Sequence, residues 1–148
     1  TFHECLSQEN FVALGKLTNL TKLNLNDCSF ITDIDVLTNL TKLSDLTIRN
    51  CISLTNFDAL SYLTHLSSLS LQKCTSLLNL DGICMHNQLK YLNLSECSSL
   101  TNVDPLHNFD SLEYLNLKKC SSLTKDQISN LCDDLWYLSD PDIDYHDE

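Results

Sequence analysis

The sequence predicts an α/β solenoid of stacked coils, each giving one short parallel strand and one short helical or irregular return segment. Three observations predict it. Cys5, Cys28, Cys51, Cys74, Cys97 and Cys120 follow one another at 23-residue intervals. Columns of leucine share that interval. Just before each of the last five cysteines, two apolar residues flank a single polar one. A fixed period of about 20 to 50 residues marks units that bury their apolar faces only by stacking.

The strands come from the apolar pair. Leu23, Leu46, Leu69, Leu92 and Leu115 form one column, and Leu25, Ile48, Leu71, Leu94 and Leu117 the next. Spacing of two puts both on one side of an extended chain, so both point inward. Copies of this strand stack into a parallel sheet. The return segments come from later columns: Ile31, Leu54, Leu77, Leu100 and Leu123, then Ile34, Phe57, Leu80 and Val103. Leu37, Leu60, Ile83 and Leu106 follow, and then Leu40, Leu63, His86 and Phe109. A unit this short has room for 3₁₀ or one-turn helices on the outer side.

Asp35, Asp58, Asp81 and Asp104 recur ahead of the return helices. An acidic column for a metal or a basic partner is one reading. The expected one is helix capping, with each carboxylate accepting from free backbone N–H groups. The cysteines are spaced unlike the close pairs of a zinc site. In one column of parallel coils they point the same way, which is poor geometry for a disulfide. Each is expected to bury a small thiol that bonds weakly to backbone of the neighbouring coil. Reduced thiols imply a cytoplasmic or nuclear setting.

LTKLNLNDC, LSDLTIRNC, LSSLSLQKC, LKYLNLSEC and LEYLNLKKC resemble the L-x-x-L-x-L-x-x-N/C signature of leucine-rich repeat proteins. The cysteine in the last slot resembles the repeats of F-box substrate adaptors of ubiquitin ligases. The N-x-D-x-L portion is similar to short 22-residue types, such as phosphatase-regulating repeats and bacterial internalins, with one residue added. The resemblance implies a right-handed leucine-rich repeat solenoid with its strands on the concave face. It also implies a recognition scaffold rather than an enzyme. Repeats are expected over residues 1–123, as a partial first coil and five full coils.

One coil breaks the pattern. It reads DGICMHNQL, with Asp81, Cys84 and His86 close in sequence. Three ligands on one loop without a fourth make a weak metal site, so a packing variation is expected. Cys84 is placed near the interior and His86 in a leucine slot. Phe2 and Cys5 occupy the slots of Leu25 and Cys28, and no N-terminal cap is evident. At the other end Ile128, Leu131, Cys132, Leu135 and Leu138 recur at helical spacing. A capping helix is expected over 124–138, with Thr124 or Asp126 as N-cap and Trp136 at its edge. Residues 139–148 form an acidic tail. From Asp126 onward there are eight acidic residues and no Lys or Arg, so most of the net charge of −11 belongs to this end. Asp140, Asp142 and Asp144 imitate the start of an EF-hand loop, but Tyr145 stands where its glycine belongs.

The composition excludes several functions. A sequence pI near 4.6 and the lack of a basic stripe exclude phosphate-backbone binding to nucleic acid. No apolar run is long enough to span a membrane. No P-loop, dinucleotide, nucleophile-elbow or zincin motif is present, so no catalytic residue, metal or cofactor is expected. Three glycosylation sequons, at Asn19, Asn39 and Asn93, leave a secreted or surface location as the alternative to a cytoplasmic one.

The exposed strand positions are the candidate contact surface for a protein partner. The first column runs through Lys22, Asp45, Ser68, Tyr91 and Tyr114; the second through Asn24, Thr47, Ser70, Asn93 and Asn116. The third holds Asn26, Arg49, Gln72, Ser95 and Lys118, flanked by Asp27, Asn50, Lys73, Glu96 and Lys119. The contact set is Lys22, Asn24, Asn26, Asp45, Thr47, Arg49, Gln72, Tyr91, Asn93, Tyr114, Asn116 and Lys118. Exposed Tyr and Arg are enriched at interface hot spots. Adjacent Tyr91 and Tyr114 fit that role and also fit simple cross-strand stacking. The predicted function is protein binding through the concave sheet. The alternatives are the recognition part of a larger enzyme or adaptor, ubiquitin-ligase-like or a pathogen effector, and a fragment of a surface receptor.

Overall fold

The computed structural model describes residues 8–134. It opens with helix α1 (Gln8–Leu14) and closes with helix α2 (Lys125–Asp134). Between them lie strands β1 (Lys22–Asn26), β2 (Asp45–Arg49), β3 (Ser68–Ser70), β4 (Tyr91–Asn93) and β5 (Tyr114–Asn116). They alternate with 3₁₀ helices η1 (Asp35–Asn39), η2 (Asp58–Tyr62), η3 (Asp81–Ile83) and η4 (Asp104–Asn108). The strands form one parallel sheet in sequence order. Every residue pairs with its own counterpart one unit away, as in Leu23↔Leu46, Leu46↔Leu69, Leu69↔Leu92 and Leu92↔Leu115.

The length of the coil follows from how it faces inward. From Cys28, every third residue is buried: Ile31, Ile34, Leu37, Leu40, Leu43 and Leu46. One step of two then reaches Ile48 across the strand, and a last step of three reaches Cys51. Three-residue spacing suits turns closed by i to i+3 bonds, in which side chains eclipse. Those bonds are present in series: Leu37 N donates to Ile34 O at 2.9 Å, Leu40 N to Leu37 O at 2.8 Å and Leu43 N to Leu40 O at 2.9 Å. The same turns recur in later coils, as in Leu106 N to Val103 O at 2.9 Å.

Two features of the coil were hidden in the sequence. The residues before the cysteines do not extend the face as a flat fourth column. Asp27, Asn50, Lys73, Glu96 and Lys119 all adopt left-handed backbone, with φ between 55° and 64°. None is glycine; Asp27 and Asn50 are residue types that tolerate this conformation, whereas at Lys73, Glu96 and Lys119 the turn is strained. The turn swings the next residue, the cysteine, into the core. It also aims its own N–H at the following coil: Asp27 to Arg49 O at 2.9 Å, Asn50 to Gln72 O at 2.9 Å and Glu96 to Lys118 O at 2.8 Å.

Capping is also shifted from its expected place. Asp35, Asp58, Asp81 and Asp104 each begin a 3₁₀ helix, but no N-cap side-chain bond is made. The acceptor is the Asp or Asn two residues earlier. Asp33 Oδ1 accepts from Asp35 N at 3.3 Å, Asn56 from Asp58 at 2.9 Å, Asn79 from Asp81 at 3.2 Å and Asn102 from Asp104 at 2.7 Å. This is an Asx turn, in which the short side chain replaces a backbone acceptor. The Asp column is left exposed in the first turn of each helix, the end that favours negative charge.

Both ends carry helices. Phe11 and Leu14 of α1 are buried in the columns of Ile34 and Leu37, and Phe11 meets Phe30 edge-on at 6.1 Å. So α1 covers the η1 end of the core, which the sequence left without a cap. At α2 a capping box is formed. Thr124 N donates to Gln127 Oε1 at 2.9 Å, and Gln127 N donates back to Thr124 Oγ1 at 3.3 Å. Gln127 Nε2 then reaches Thr101 O at 2.7 Å, tying α2 to the coil before it. Thr124, not Asp126, is the cap. Ile128 and Leu131 are buried. Phe2, Cys5, Leu135, Trp136, Leu138 and the acidic tail lie outside the described residues.

The irregular coil departs from expectation once. His86 does fill the leucine slot, 1 % exposed, but Cys84 faces solvent rather than the interior. η3 is only three residues long, and Cys84 falls just past its end. Gly82 stands where other coils carry Val36, Ala59 and Pro105, because a Cβ there would lie 2.9 Å from the Phe57 carbonyl oxygen.

Two substitutions of opposite sign test these backbone assignments by urea denaturation. Gly82→Ala is expected to destabilise the fold by about 1–3 kcal/mol, although alanine is the better helix former. Lys119→Gly is expected to stabilise it by roughly 0.5 kcal/mol, since relief of left-handed strain exceeds the entropy of glycine.

Candidate binding face

The parallel register places the candidate residues on the outward side of the sheet, in rows across the strands. In the first column Lys22 Nζ lies 3.3 Å from Asp45 Oδ2, an oxygen that also accepts from Ser44 Oγ at 2.8 Å. Further along, the rings of Tyr91 and Tyr114 stack with centroids 4.5 Å apart and planes 3° from parallel. β4 and β5 place them directly opposite each other. Asn116 Nδ2 donates to Tyr114 Oη at 3.2 Å and holds the second ring in place. Tyr91, at 36 % exposed, is the outer member of the pair.

The second column is less available than its polarity suggests. Asn24, Thr47 and Asn93 are half-buried. Asn93 Oδ1 accepts from Ser95 N at 2.9 Å. Asn116 has to be removed from the contact set, because it is only 8 % exposed. Its oxygen accepts from Lys118 N at 2.9 Å, so its amide is used on both sides by its own strand. The third column splits in the same way. Arg49 is exposed, Asn26, Gln72 and Lys118 are half-buried, and Ser95 is buried.

Charge on this side is largely paired between coils. Lys90 Nζ meets Glu113 Oε1 at 2.6 Å, and Lys73 Nζ meets Glu96 Oε2 at 3.6 Å. Asn50 Nδ2 donates to Asp27 Oδ1 at 2.6 Å. Exposed pairs of this kind contribute at most about 1 kcal/mol each. Arg49 forms no ion pair among the described residues and stands as a cation available to a partner.

The cysteine column is internal and unreactive. Cys97 Sγ donates to Leu71 O at 3.0 Å and Cys120 Sγ to Leu94 O at 3.1 Å. Cys74 approaches Ile48 O at 3.7 Å, and Cys51 approaches Leu25 O at 3.9 Å. These four thiols each face a carbonyl of the coil before, while Cys28 Sγ donates within its own coil to Asn26 O at 3.4 Å, and Cys51 also lies 3.6 Å from its own Arg49 O. Burial, and then the neighbouring Cys51, push the Cys74 thiol from 9.0 up to about 12. Burial pushes Cys120 up to about 11, and burial with Cys74 and Cys120 pushes Cys97 higher still.

Asp81, Cys84 and His86 do not converge, since two face solvent and one lies inside. No group of three potential metal ligands occurs among the described residues. Within them no helix is long and apolar enough to cross a membrane.

The architecture is similar to solved leucine-rich repeat structures. A leucine-rich repeat protein of Leptospira interrogans is 18% identical, with a TM-score of 0.59, over 90% of this chain and 39% of that one. Internalin C2 from Listeria monocytogenes is 21% identical, with a TM-score of 0.51, over 81% of this chain and 61% of that one. A further internalin of Listeria monocytogenes is 27% identical with a TM-score of 0.48, over 74% of this chain and 41% of that one. The first two show the fold: the chain is a leucine-rich repeat solenoid. It spans less than two thirds of the length of each neighbour. No protein-family model and no curated protein matches the sequence.

The buried thiols are expected to make the fold alkali-sensitive. The folded chain keeps protons that the unfolded chain loses near pH 9, so this stability is full below that pH and falls as pH rises toward 12. Each thiol is expected to remove up to about 1.4 kcal/mol per pH unit. Urea midpoints taken between pH 8 and pH 10.5 check this, and a Cys97→Ala chain should show a shallower slope.

Proposed function

We propose that this leucine-rich repeat solenoid is a non-catalytic module that binds a partner protein through its concave sheet face. The stacked Tyr91–Tyr114 pair is the observation that carries the reading. Tyr combines a large apolar area with a polar tip and few rotatable bonds, so holding it rigid removes much of the entropy cost of contact. Stacked solenoid coils present extended surfaces of this kind. Arg49, the outer edge of Tyr91, Lys22 with Asp45, and Gln72 supply the varied polar surroundings. Asn24, Asn26, Thr47, Asn93 and Lys118 contribute their exposed parts. The partner is a protein, and neither metal, cofactor nor nucleic acid has a role in the reading.

Affinity capture from extract tests it, comparing the parent chain with Tyr91→Ala/Tyr114→Ala. Losing the stack costs the fold about 0.5–1.5 kcal/mol, so the variant is expected to stay folded by circular dichroism. Loss of both aromatic anchors is expected to lower retention of the partner more than tenfold. Equal retention of the same partners by both chains would remove the face from consideration.

The same reading places the chain in a reducing, cytoplasmic compartment. Its support is the thiol column, whose members point at carbonyls rather than at one another. Denatured without reductant, the chain from cells is expected to take up alkylating reagent at all eight cysteines. A mass showing none modified would return the chain to the secreted alternative.

A further inference from the structure

His86 occupies the column of Leu40, Leu63 and Phe109, on the side of the coil away from the sheet. It is 1 % exposed, and neither ring nitrogen makes a hydrogen bond of good geometry, although the backbone carbonyls of Leu60, Leu63 and Ile83 lie close enough to act on it. An imidazole carries at least one N–H, so this buried ring is poorly paired where buried polar groups are usually well paired. Its backbone closes two successive turns: His86 N donates to Ile83 O at 3.0 Å, and Leu89 N donates to His86 O at 3.0 Å. A cavity of about 140 Å³ opens between the Cys51 and Cys74 coils; Leu80, Gly82 and Ile83 of the His86 segment line it, and His86 itself does not. The carbonyls of Leu60, Leu63 and Ile83 are the polar groups acting on the ring.

No opposite charge is available to a protonated ring. The titratable groups on the flanking segments are Asp58 and Tyr62 of η2, Asp81 of η3, Cys84, His65, His107, Asp104 of η4 and Asp110. All but His107 are exposed, His107 is half-buried, and none contributes to the electrostatics at His86. We propose that His86 is an acid-sensitive latch. Neutral, it fills a leucine slot and holds residues 80–89 closed against the core. Protonated, it leaves that slot, and this segment opens while the sheet stays paired.

The sign follows from where the proton can bind. Desolvation lowers the affinity of the buried ring for a proton, opposed in part by the nearby carbonyls. The opened segment takes a proton near the ordinary value of about 6.5. The closed form is therefore fully favoured above about pH 6.5 and loses ground as pH falls, by up to tenfold in the closed-to-open ratio per pH unit. Carboxylates have ordinary midpoints of about 3.9 to 4.3 and are still mostly ionised at about pH 5, which leaves a window between the two.

Hydrogen exchange on the whole chain at about pH 5 and pH 7.5, corrected for intrinsic rates, reads the opening directly. In the parent chain, peptides spanning 80–89 are expected to lose more than tenfold in protection at the lower pH, while β3 and β4 keep theirs. His86→Leu, which restores the residue of the Leu40 and Leu63 slots, is expected to abolish the difference. No selective loss in the parent chain, or the same loss in the variant, overturns the proposal. An NMR titration of the His86 ring gives an answer independent of the variant. A ring that takes up its proton near pH 6.5 while residues 80–89 remain protected also overturns it.

Discussion

Each coil lies on a copy of itself, displaced by one unit, and this in-register stacking is the constraint on which the rest of the structure depends. Residues in contact across coils are the same slot read twice. Apolar slots gain from this, because like packs on like without change of shape. Backbone groups gain as well. The sheet ladder, the N–H groups of the left-handed residues and the thiols of Cys51, Cys74, Cys97 and Cys120 point from one coil to a carbonyl of the next or the last. A slot that carries charge meets the opposite requirement, since like charges opposite each other are destabilising. Lys22 over Asp45, Lys73 over Glu96 and Lys90 over Glu113 alternate in sign accordingly.

The Asp35–Asp104 column is the exception, and its position explains why it is tolerated. These carboxylates are exposed, screened by water and placed in the first turn of a helix. Their own N–H groups are satisfied by the Asx residues two positions back. The left-handed residues show a similar balance. A residue other than Gly, Asn or Asp with positive φ costs about 1–2 kcal/mol, a cost borne at Lys73, Glu96 and Lys119. Each turn brings a cysteine inward and makes a bond to the neighbouring coil. The cysteine suits that place because a thiol is small, apolar enough for the core and still able to donate weakly.

Much of this was legible in the sequence. The Leu23 and Leu25 columns announced strands, and the shared interval announced their register. The cysteine spacing argued against paired ligands, and Cys51, Cys74, Cys97 and Cys120 do approach backbone of the adjacent coil, while Cys28 bonds within its own. The capping helix was visible in the spacing of Ile128 and Leu131, with Thr124 or Asp126 open as its cap; the Gln127 half of the capping box came only with the structure. Other features were not legible, for reasons that differ. Positive φ is usually signalled by glycine, and here Asp, Asn, Lys and Glu adopt it. Asx capping was assigned two residues late, because Asp33, Asn56, Asn79 and Asn102 precede an equally plausible acidic column. α1 was missed because Phe11 and Leu14 sit in a terminal unit that lacks the rest of the motif.

The division follows from range. Periodicity alone determined the coil, its strand, the slots that face inward and the partner of every slot, because translation by one unit carries all of that information. Only the folded arrangement decided which polar side chains look outward. Asn93 and Asn116 share a column, yet Asn116 is drawn down by Lys118 N and Tyr114 Oη, while Arg49 is left free above its neighbours. Tyr91 and Tyr114 likewise became a single stacked element only when β4 met β5. A polar side chain can be satisfied by water, by its own backbone or by the next coil, and those choices are made by distances that no repeat pattern records.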